Sequence, residues 1–264
     1  MSRESRHIYP DADALARGAA IDLLRHAGQS VAERGIFTIA LAGGSTPRKL
    51  YTLLANDPAF ADFPWTHTHL FFGDERHVPP SHLDSNYLMV SSTLLSSGKV
   101  PPANVHRIRA ELPDANQASA DYDVELHTFF NTAMRFNHCP RFDVILLGMG
   151  PDGHTASLFP GTRGLEEKER WVVANWVEKF NSARITLTFP VLNAARVVML
   201  LVAGADKADM VHNVLVSNRK DSAYPVQLVL PIDGLKIWLF DRAAAARSSI
   251  QTLAPSTGCT SSTG

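Results

Sequence analysis

Cysteine is nearly missing from this chain: Cys139 and Cys259 are the only two among 264 residues. No paired-Cys spacing exists, which excludes a disulfide scaffold or a structural zinc site as the organising device, and a reducing compartment is expected. An excess of charge of either sign is missing too. Twenty-five basic residues against 26 acidic ones leave a formal net charge of −1, so there is no electrostatic reason to expect nucleic acid or an anionic membrane as partner. No apolar run is long enough to span a bilayer. The opening MSRESRHIYPDADALARG has no apolar signal core, and a soluble, cytoplasmic chain is expected. Internal repeats and a dividing Pro/Gly/Ser linker are absent as well. Residues 1–247 therefore read as one domain, and the Ser/Thr/Gly-rich stretch 248–264 as a loose tail.

What is present is ordinary globular composition, with 45% hydrophobic and 19% charged residues. Apolar runs at 36–41 (IFTIAL), 69–72 (HLFF), 142–147 (FDVILL), 171–177 (WVVANWV), 184–188 (RITLT), 197–202 (VVMLLV) and 236–240 (KIWLF) read as buried strands. Helical spacing fills several of the gaps. Residues 13–32 place Leu15, Ala16, Ala19 and Leu23 on one face, and 47–55, 85–95, 117–134 and 205–216 also fit a helix. This alternation predicts an α/β fold, a mainly parallel sheet covered by helices on both faces. In such sheets ligands bind beyond the carboxyl ends of the strands, so the loops that follow strands are where chemistry is expected.

Four of them carry unusual residues. In ALAGGSTPRKL (40–50), Gly43 and Gly44 end a strand, Ser45 or Thr46 can cap the next helix, and Pro47 suits its first turn. A turn of this kind offers backbone N–H groups and hydroxyls to an anion such as phosphate; a plain helix cap accounts for the same residues. Walker A spacing is absent. In FFGDERHVPPSHLDSNY (71–87), Asp74, Glu75, Arg76 and His77 crowd the end of a strand, as a reactive cluster or as a solvated charged face. His67, His69, His77 and His82 show no helical H-E-x-x-H and no other ligand framework, so no metal is expected.

The third loop, LLGMGPDGHTASLFPG (146–161), spells G-x-G-x-x-G from Gly148 to Gly153. A dinucleotide site needs that turn to open a long helix and an acidic residue at the end of the following strand. Here Pro151 interrupts the turn, Pro160-Gly161 stops any helix early, and Glu178 comes too late. A glycine-rich turn holding His154 remains, with Asp152 near enough to fix its tautomer and raise its basicity. An acid–base histidine and a structural one are both compatible with that. The fourth feature is a pair of isolated cations. Arg184 begins the strand RITLT, and Lys207 stands in the first turn of a helix, where it opposes the macrodipole unless an anion is shared. With the Gly43-Gly44-Ser45 turn, the two would surround one phosphate.

Together, LAGGSTPRKLY, FFGDERHVP with DSNY, FDVILLGMGPDGHTASLFPG, RITLTFPVLNAARVVMLLVAGADKA and YPVQLVLP, in this order over residues 36–240, resemble the 6-phosphogluconolactonase family, related in fold to glucosamine-6-phosphate deaminase. The resemblance implies a Rossmann-like three-layer sandwich and hydrolysis of 6-phospho-D-glucono-1,5-lactone, the second step of the oxidative pentose phosphate pathway. It implies no cofactor, a small sugar-phosphate lactone as the only partner, and a monomer like some relatives of this size.

A lactone needs an attacking water, help for the oxyanion and a proton for the departing ring oxygen. The residues permit His154 as general base and then acid, Asp152 holding its ring, Arg76 meeting the oxyanion, and Asp74 positioning hydroxyls or the arginine. The 6-phosphate would lie on Gly43, Gly44, Ser45 and Thr46, with Arg184 and Lys207 closing over it. No G-x-S-x-G elbow supplies a covalent nucleophile. Two rival readings are a deaminase/isomerase, in which Asp74 and His154 would act on glucosamine 6-phosphate, and a sugar-phosphate sensor, which has no use for a poised histidine. Against the first, the deaminase D-E-Y and G-x-D-G-H-I-A-F-N patterns are replaced by Asp74-Glu75-Arg76 and GPDGHTASLF.

Overall fold

A computed structural model describes residues 3–130, 134–216 and 224–248. In chain order its elements are β1 (Arg3–Tyr9), α1 (Ala12–Arg34), β2 (Phe37–Leu41), α2 (Ser45–Asn56), β3 (Thr68–Phe72), β4 (Asp74–Arg76), α3 (Asn86–Thr93), α4 (Ala115–Phe129), β5 (Arg135–Phe136), β6 (Cys139–Pro140), β7 (Val144–Leu147), β8 (Val172–Val177), β9 (Ser182–Leu187), α5 (Phe189–Ala194), β10 (Val197–Val202), α6 (Ala208–Val216) and β11 (Leu235–Asp241). Six strands form one sheet in the order β1-β11-β10-β7-β2-β3, and every neighbouring pair in it is parallel.

Burial explains why the apolar runs are continuous rather than alternating. Every residue of β2, β7 and β10 is buried, so both faces of the sheet are covered, as parallel sheets require. The expected α/β architecture is the observed one. All seven expected strands are present, but β8 and β9 are not in the central sheet. They pair antiparallel with each other, and β9 pairs antiparallel with β4, in a separate three-stranded sheet. Apolar runs report burial and carry no information on pairing partner, which is why this was not foreseen.

The strand of the central sheet missed from sequence is β1, RESRHIY; the short β4, β5 and β6 outside that sheet were not foreseen either. β1 lies at the sheet's edge beside β11, with no fully buried residue, so its polar composition hides it. The helix expected over 117–134 ends at Phe129, and residues 131–133 lie outside the described part. So does 249–264, nearly all of the expected tail. No helix among the described residues is long and apolar enough to cross a membrane.

Chain order places the site. β3 lies on one side of β2, and the next strand of the sheet, β7, returns to the other side. The connections thus diverge between β2 and β7, and a crevice opens beyond their carboxyl ends at such a switch.

Candidate active site

That crevice is a cavity of about 280 Å³. Its walls come from the segments after four parallel strands: Ala42–Pro47 after β2, Gly73, Asp74 and Arg76 after β3, Gly148–Pro151 with His154–Ala156 after β7, and Ala203 with Lys207 after β10. Of the ten residues expected from sequence, His154, Arg76, Asp74, Gly43, Gly44, Ser45, Thr46 and Lys207 line it. Asp152 and Arg184 do not.

At one end stands the turn before α2. The cap of this helix is Gly44, at φ 109° and without a side-chain capping bond; Ser45 and Thr46, expected as caps, already belong to the helix. Only a glycine adopts that backbone geometry without strain. α2 has no acidic residue in its first turn, so its free N–H groups and positive dipole end face the cavity uncompensated.

Lys207 approaches from β10 in a short turn, Ala205–Lys207, just ahead of α6. Its ammonium lies 2.9 Å from Asp206 Oδ2, so a protein carboxylate already answers the charge that the sequence reading left without a partner. Lys207, through this hydrogen bond, holds the Asp206 carboxyl below its usual range. Asp206 is itself mostly exposed, and an exposed pair of this sort holds a lysine weakly.

At the other end is His154. No helix follows the Gly148–Gly153 turn: Gly153 N–H donates to Gly150 O (3.0 Å) and Gly150 N–H to His154 O (2.9 Å), winding the backbone tightly around the imidazole. The dinucleotide reading is excluded by this geometry. His154 Nδ1 is hydrogen-bonded to Asp152 Oδ1, and the ring stacks on Phe159 with centroids 4.0 Å apart. A carboxylate only accepts, so Nδ1 carries the proton and Nε2 keeps its lone pair. Asp152 therefore sits behind the ring rather than in the wall. Burial raises its carboxyl pKa, but the hydrogen bond from His154, joined by the ring's charge whenever the imidazole is protonated, outweighs burial and holds it below the ordinary value. Lys179 Nζ lies 3.5 Å from its second oxygen.

β4 supplies the third component. Successive side chains of a strand point to opposite faces, so Asp74 and Arg76 face the cavity while Glu75 turns away. Glu75 is buried and anchors α3, accepting from Asn86 N (2.7 Å), Tyr87 N (2.8 Å) and Ser85 Oγ (3.1 Å). Burial pushes its carboxyl up, against those backbone bonds. Asp74, 8% exposed, accepts a 2.6 Å hydrogen bond from Ser157 Oγ, and its main-chain carbonyl accepts from Asn86 Nδ2 at 2.9 Å. Arg76 Nη1 donates to Asp84 O.

Sequence reasoning assigned no role to Ser157, Asn86 or Phe159. Ser157, between Ala156 and Leu158, and Asn86, beside Ser85 in DSNY, carried no local signal of these contacts. Arg184 is placed differently from expectation. The β4–β9 register sets it opposite Arg76, with its guanidinium 5.2 Å from the centre of the Phe180 ring, clear of the cavity wall. Burial and the neighbouring Arg76 lower its pKa. Arg184 thus stands beside Arg76, and of the two isolated cations only Lys207 shares the cavity wall with the turn before α2.

A base with a free Nε2, an arginine and a buried carboxylate at one end, and an anion-binding helix terminus with a lysine at the other, suit an anionic ester. Residues 10–238 match the model of the glucosamine-6-phosphate isomerases/6-phosphogluconolactonase family. The chain belongs to this family. It is 38% identical over 248 residues to 6-phosphogluconolactonase of a Nostoc species, covering 94% of this chain and all of that one. With 6-phosphogluconolactonase of a Synechocystis species it shares 41% over 216 residues, 82% of this chain and 86% of the relative. The solved structure of 6-phosphogluconolactonase from Trypanosoma cruzi superposes with a TM-score of 0.83 at 26% identity, over 95% of this chain and 99% of that one.

Proposed function

We propose that this chain hydrolyses 6-phospho-D-glucono-1,5-lactone to 6-phospho-D-gluconate, the lactone-opening step of the oxidative pentose phosphate pathway. The observation that carries the reading is His154, held at Nδ1 by Asp152, in one cavity wall with Lys207 and the N-terminus of α2. The names of the two cyanobacterial relatives support it.

The phosphate lies on Gly43, Gly44, Ser45 and Thr46 and takes the ammonium of Lys207 from Asp206. Arg184 acts at most from the rim, beside Arg76. With the tail anchored, the lactone carbonyl faces His154. Nε2 removes a proton from water as the water oxygen bonds to C1; the carbonyl electrons move onto oxygen, where Arg76 meets the negative charge. Collapse of the adduct breaks the bond from C1 to the ring oxygen, which takes the proton from Nε2. Asp74, fixed by Ser157, holds the sugar hydroxyls or Arg76. Asp152 keeps the imidazole oriented and favours its charged form while the proton is held.

We further propose that the chain acts as a monomer in the cytoplasm. Its cysteine content suits a reducing compartment. Light scattering during gel filtration checks the first point. The activity itself is tested with freshly made 6-phosphogluconolactone, coupled to phosphogluconate dehydrogenase, beside unphosphorylated gluconolactone. Rapid turnover of the phosphorylated lactone is expected. Ammonia release from glucosamine 6-phosphate instead would transfer the site to the other branch of the family, and binding without turnover would make it a sensor.

A further inference from the structure

A second cavity, about 410 Å³, opens at the opposite end of the central sheet. The lactone pocket uses residues that follow the strands. This one uses residues that precede or begin them: Asp143 ahead of β7, Arg196 and Val197 at β10, Leu235 at β11 and Arg3 at β1, closed over by the last turns of α1. Four arginines line it, Arg3, Arg34, Arg141 and Arg196, against the carboxylates of Glu33, Asp143 and Asp233.

Asp143 has an evident structural task. It is buried, its Oδ2 accepts from Thr38 N (2.8 Å) and Thr38 Oγ1 (2.9 Å), and its Oδ1 meets Arg34 Nη2 at 3.0 Å. Glu33 pairs with Arg34 Nη1, and Asp233 Oδ2 with Arg141 Nη2 at 3.1 Å. These bonds consume the carboxylates without satisfying the arginines. Nε of Arg141 and Nε of Arg196 are both buried and have no hydrogen-bond partner among the described residues. Arg196 Nε does lie 3.3 Å from Asp143 Oδ1, inside Coulomb range but not aligned to donate. Burial, with Arg34 and Arg141 next, lowers the Arg196 pKa, as expected where like charges converge without enough counter-charge.

His26 adds a neutral donor. Burial and Arg25 lower its pKa, and its Nε2 lies 3.2 Å from Arg25 Nη2. A guanidinium can only donate, so Nε2 accepts and the proton sits on Nδ1. Buried donors left unpaired are rare because each costs its lost solvation. Several planar guanidinia around a roomy polar cavity match a tetrahedral oxyanion.

We propose that this basal cavity is a phosphate-binding site, separate from the lactone pocket, in which Arg141 and Arg196 grip the oxyanion and Arg34 stands behind them. The guest is free phosphate or the phosphate group of a small ester. Its occupancy leaves the reactive end untouched, because the two cavities lie at opposite ends of the same strands.

The Nε–H resonances of Arg141 and Arg196 test this in the intact protein. Inorganic phosphate is titrated at constant ionic strength, with chloride as control, in the unaltered chain and in Lys207→Ala, which weakens the lactone pocket's own anion site. Saturable movement of both resonances in both proteins is expected. Arg141→Gln with Arg196→Gln should keep lactone turnover within twofold and need at least tenfold more phosphate to move the Arg34 resonance. A parallel titration with glycerol phosphate shows which source binds better, and saturation with either supports the site. Resonances that stay still, that move equally with chloride, or that stop moving in Lys207→Ala overturn it.

Discussion

Gly150 and His154 are packed so closely that a Cβ on the glycine would stand 2.0 Å from both Cε1 and Nδ1 of the imidazole, and 2.8 Å from Asp152 Oδ1. The backbone of the turn is tied by the bond from Gly150 N–H to His154 O, so the imidazole is the part that has to give way. Gly150→Ala must therefore push the ring off Asp152. Its kcat should fall at least a hundredfold, towards the level of a chain without the base, while circular dichroism still reports a folded protein. A turnover within threefold of normal would show that the ring position is immaterial.

His154→Ala should lower kcat by roughly 10²–10⁴-fold, the usual contribution of a positioned base, while phosphogluconate still binds. Asp152→Asn should lower kcat less and leave KM near normal, as expected for a residue that acts through the ring. The pH dependence has a definite sign. The folded-state pKa of Asp152 is depressed below its ordinary 3.8. Its contribution to stability is thus fully present above about pH 4 and lost as pH falls through the folded value. Acid unfolding curves of the two chains should converge below pH 4 and run parallel above it.

Lys207→Ala removes the one cation that the described residues place in the cavity wall beside the α2 terminus. A charge-assisted contact is worth about 1.5–3 kcal/mol, which is roughly ten- to a hundredfold in kcat/KM. That loss should appear with the phosphorylated lactone and vanish with plain gluconolactone. Arg184→Ala, outside the wall, should change the ratio between the two substrates far less; an equal loss would return Arg184 to the phosphate.

Lys236 is a test of stability rather than activity. It is 3% exposed, donates to Val226 O at 3.2 Å and lies 4.8 Å from the centre of the Trp238 ring. Burial lowers its pKa from 10.5 to about 8, with Glu4 opposing and Arg6 assisting. Between about pH 8 and 10.5 the unfolded chain holds a proton that the folded one has released, so stability rises with pH across that window. A tenfold fall in proton concentration there adds about 1.4 kcal/mol, so the whole rise amounts to a few kcal/mol. Lys236→Met should flatten it, as read from urea midpoints at about pH 7.5 and 10, either side of the window's lower edge; an unchanged slope would mean that Lys236 is not its source.

The residues that could be read ahead of the structure are those whose local pattern has a local cause. β2, β7 and β10 are legible because burial on both faces leaves unbroken apolar runs, and the Gly43–Thr46 turn because a glycine pair before a helix has few other uses. Asp152 and His154 sit two positions apart, so their contact needs no knowledge of the fold. What was hidden depends on distant partners. Ser157 holds Asp74 across 83 positions, and no spacing rule joins them. Arg184 was assigned by charge alone, whereas its place is fixed by the β4–β9 register, which nothing in RITLT encodes. β1 was hidden because an edge strand with neither face fully buried has no alternation to show.

Strand packing also makes the cavity a molecular caliper. One jaw, the α2 terminus and Lys207, rides on β2 and β10; the other, His154, rides on β7, which lies between them in the same parallel array. Strands in such an array are about 4.8 Å apart, a spacing fixed by backbone hydrogen bonds rather than by side chains. The strands fix where each jaw is rooted, while the loops after them, which carry His154 seven residues beyond β7 and Lys207 five beyond β10, set the gap itself. Selection between aldonolactone phosphates of different chain length should therefore respond to changes in those loops.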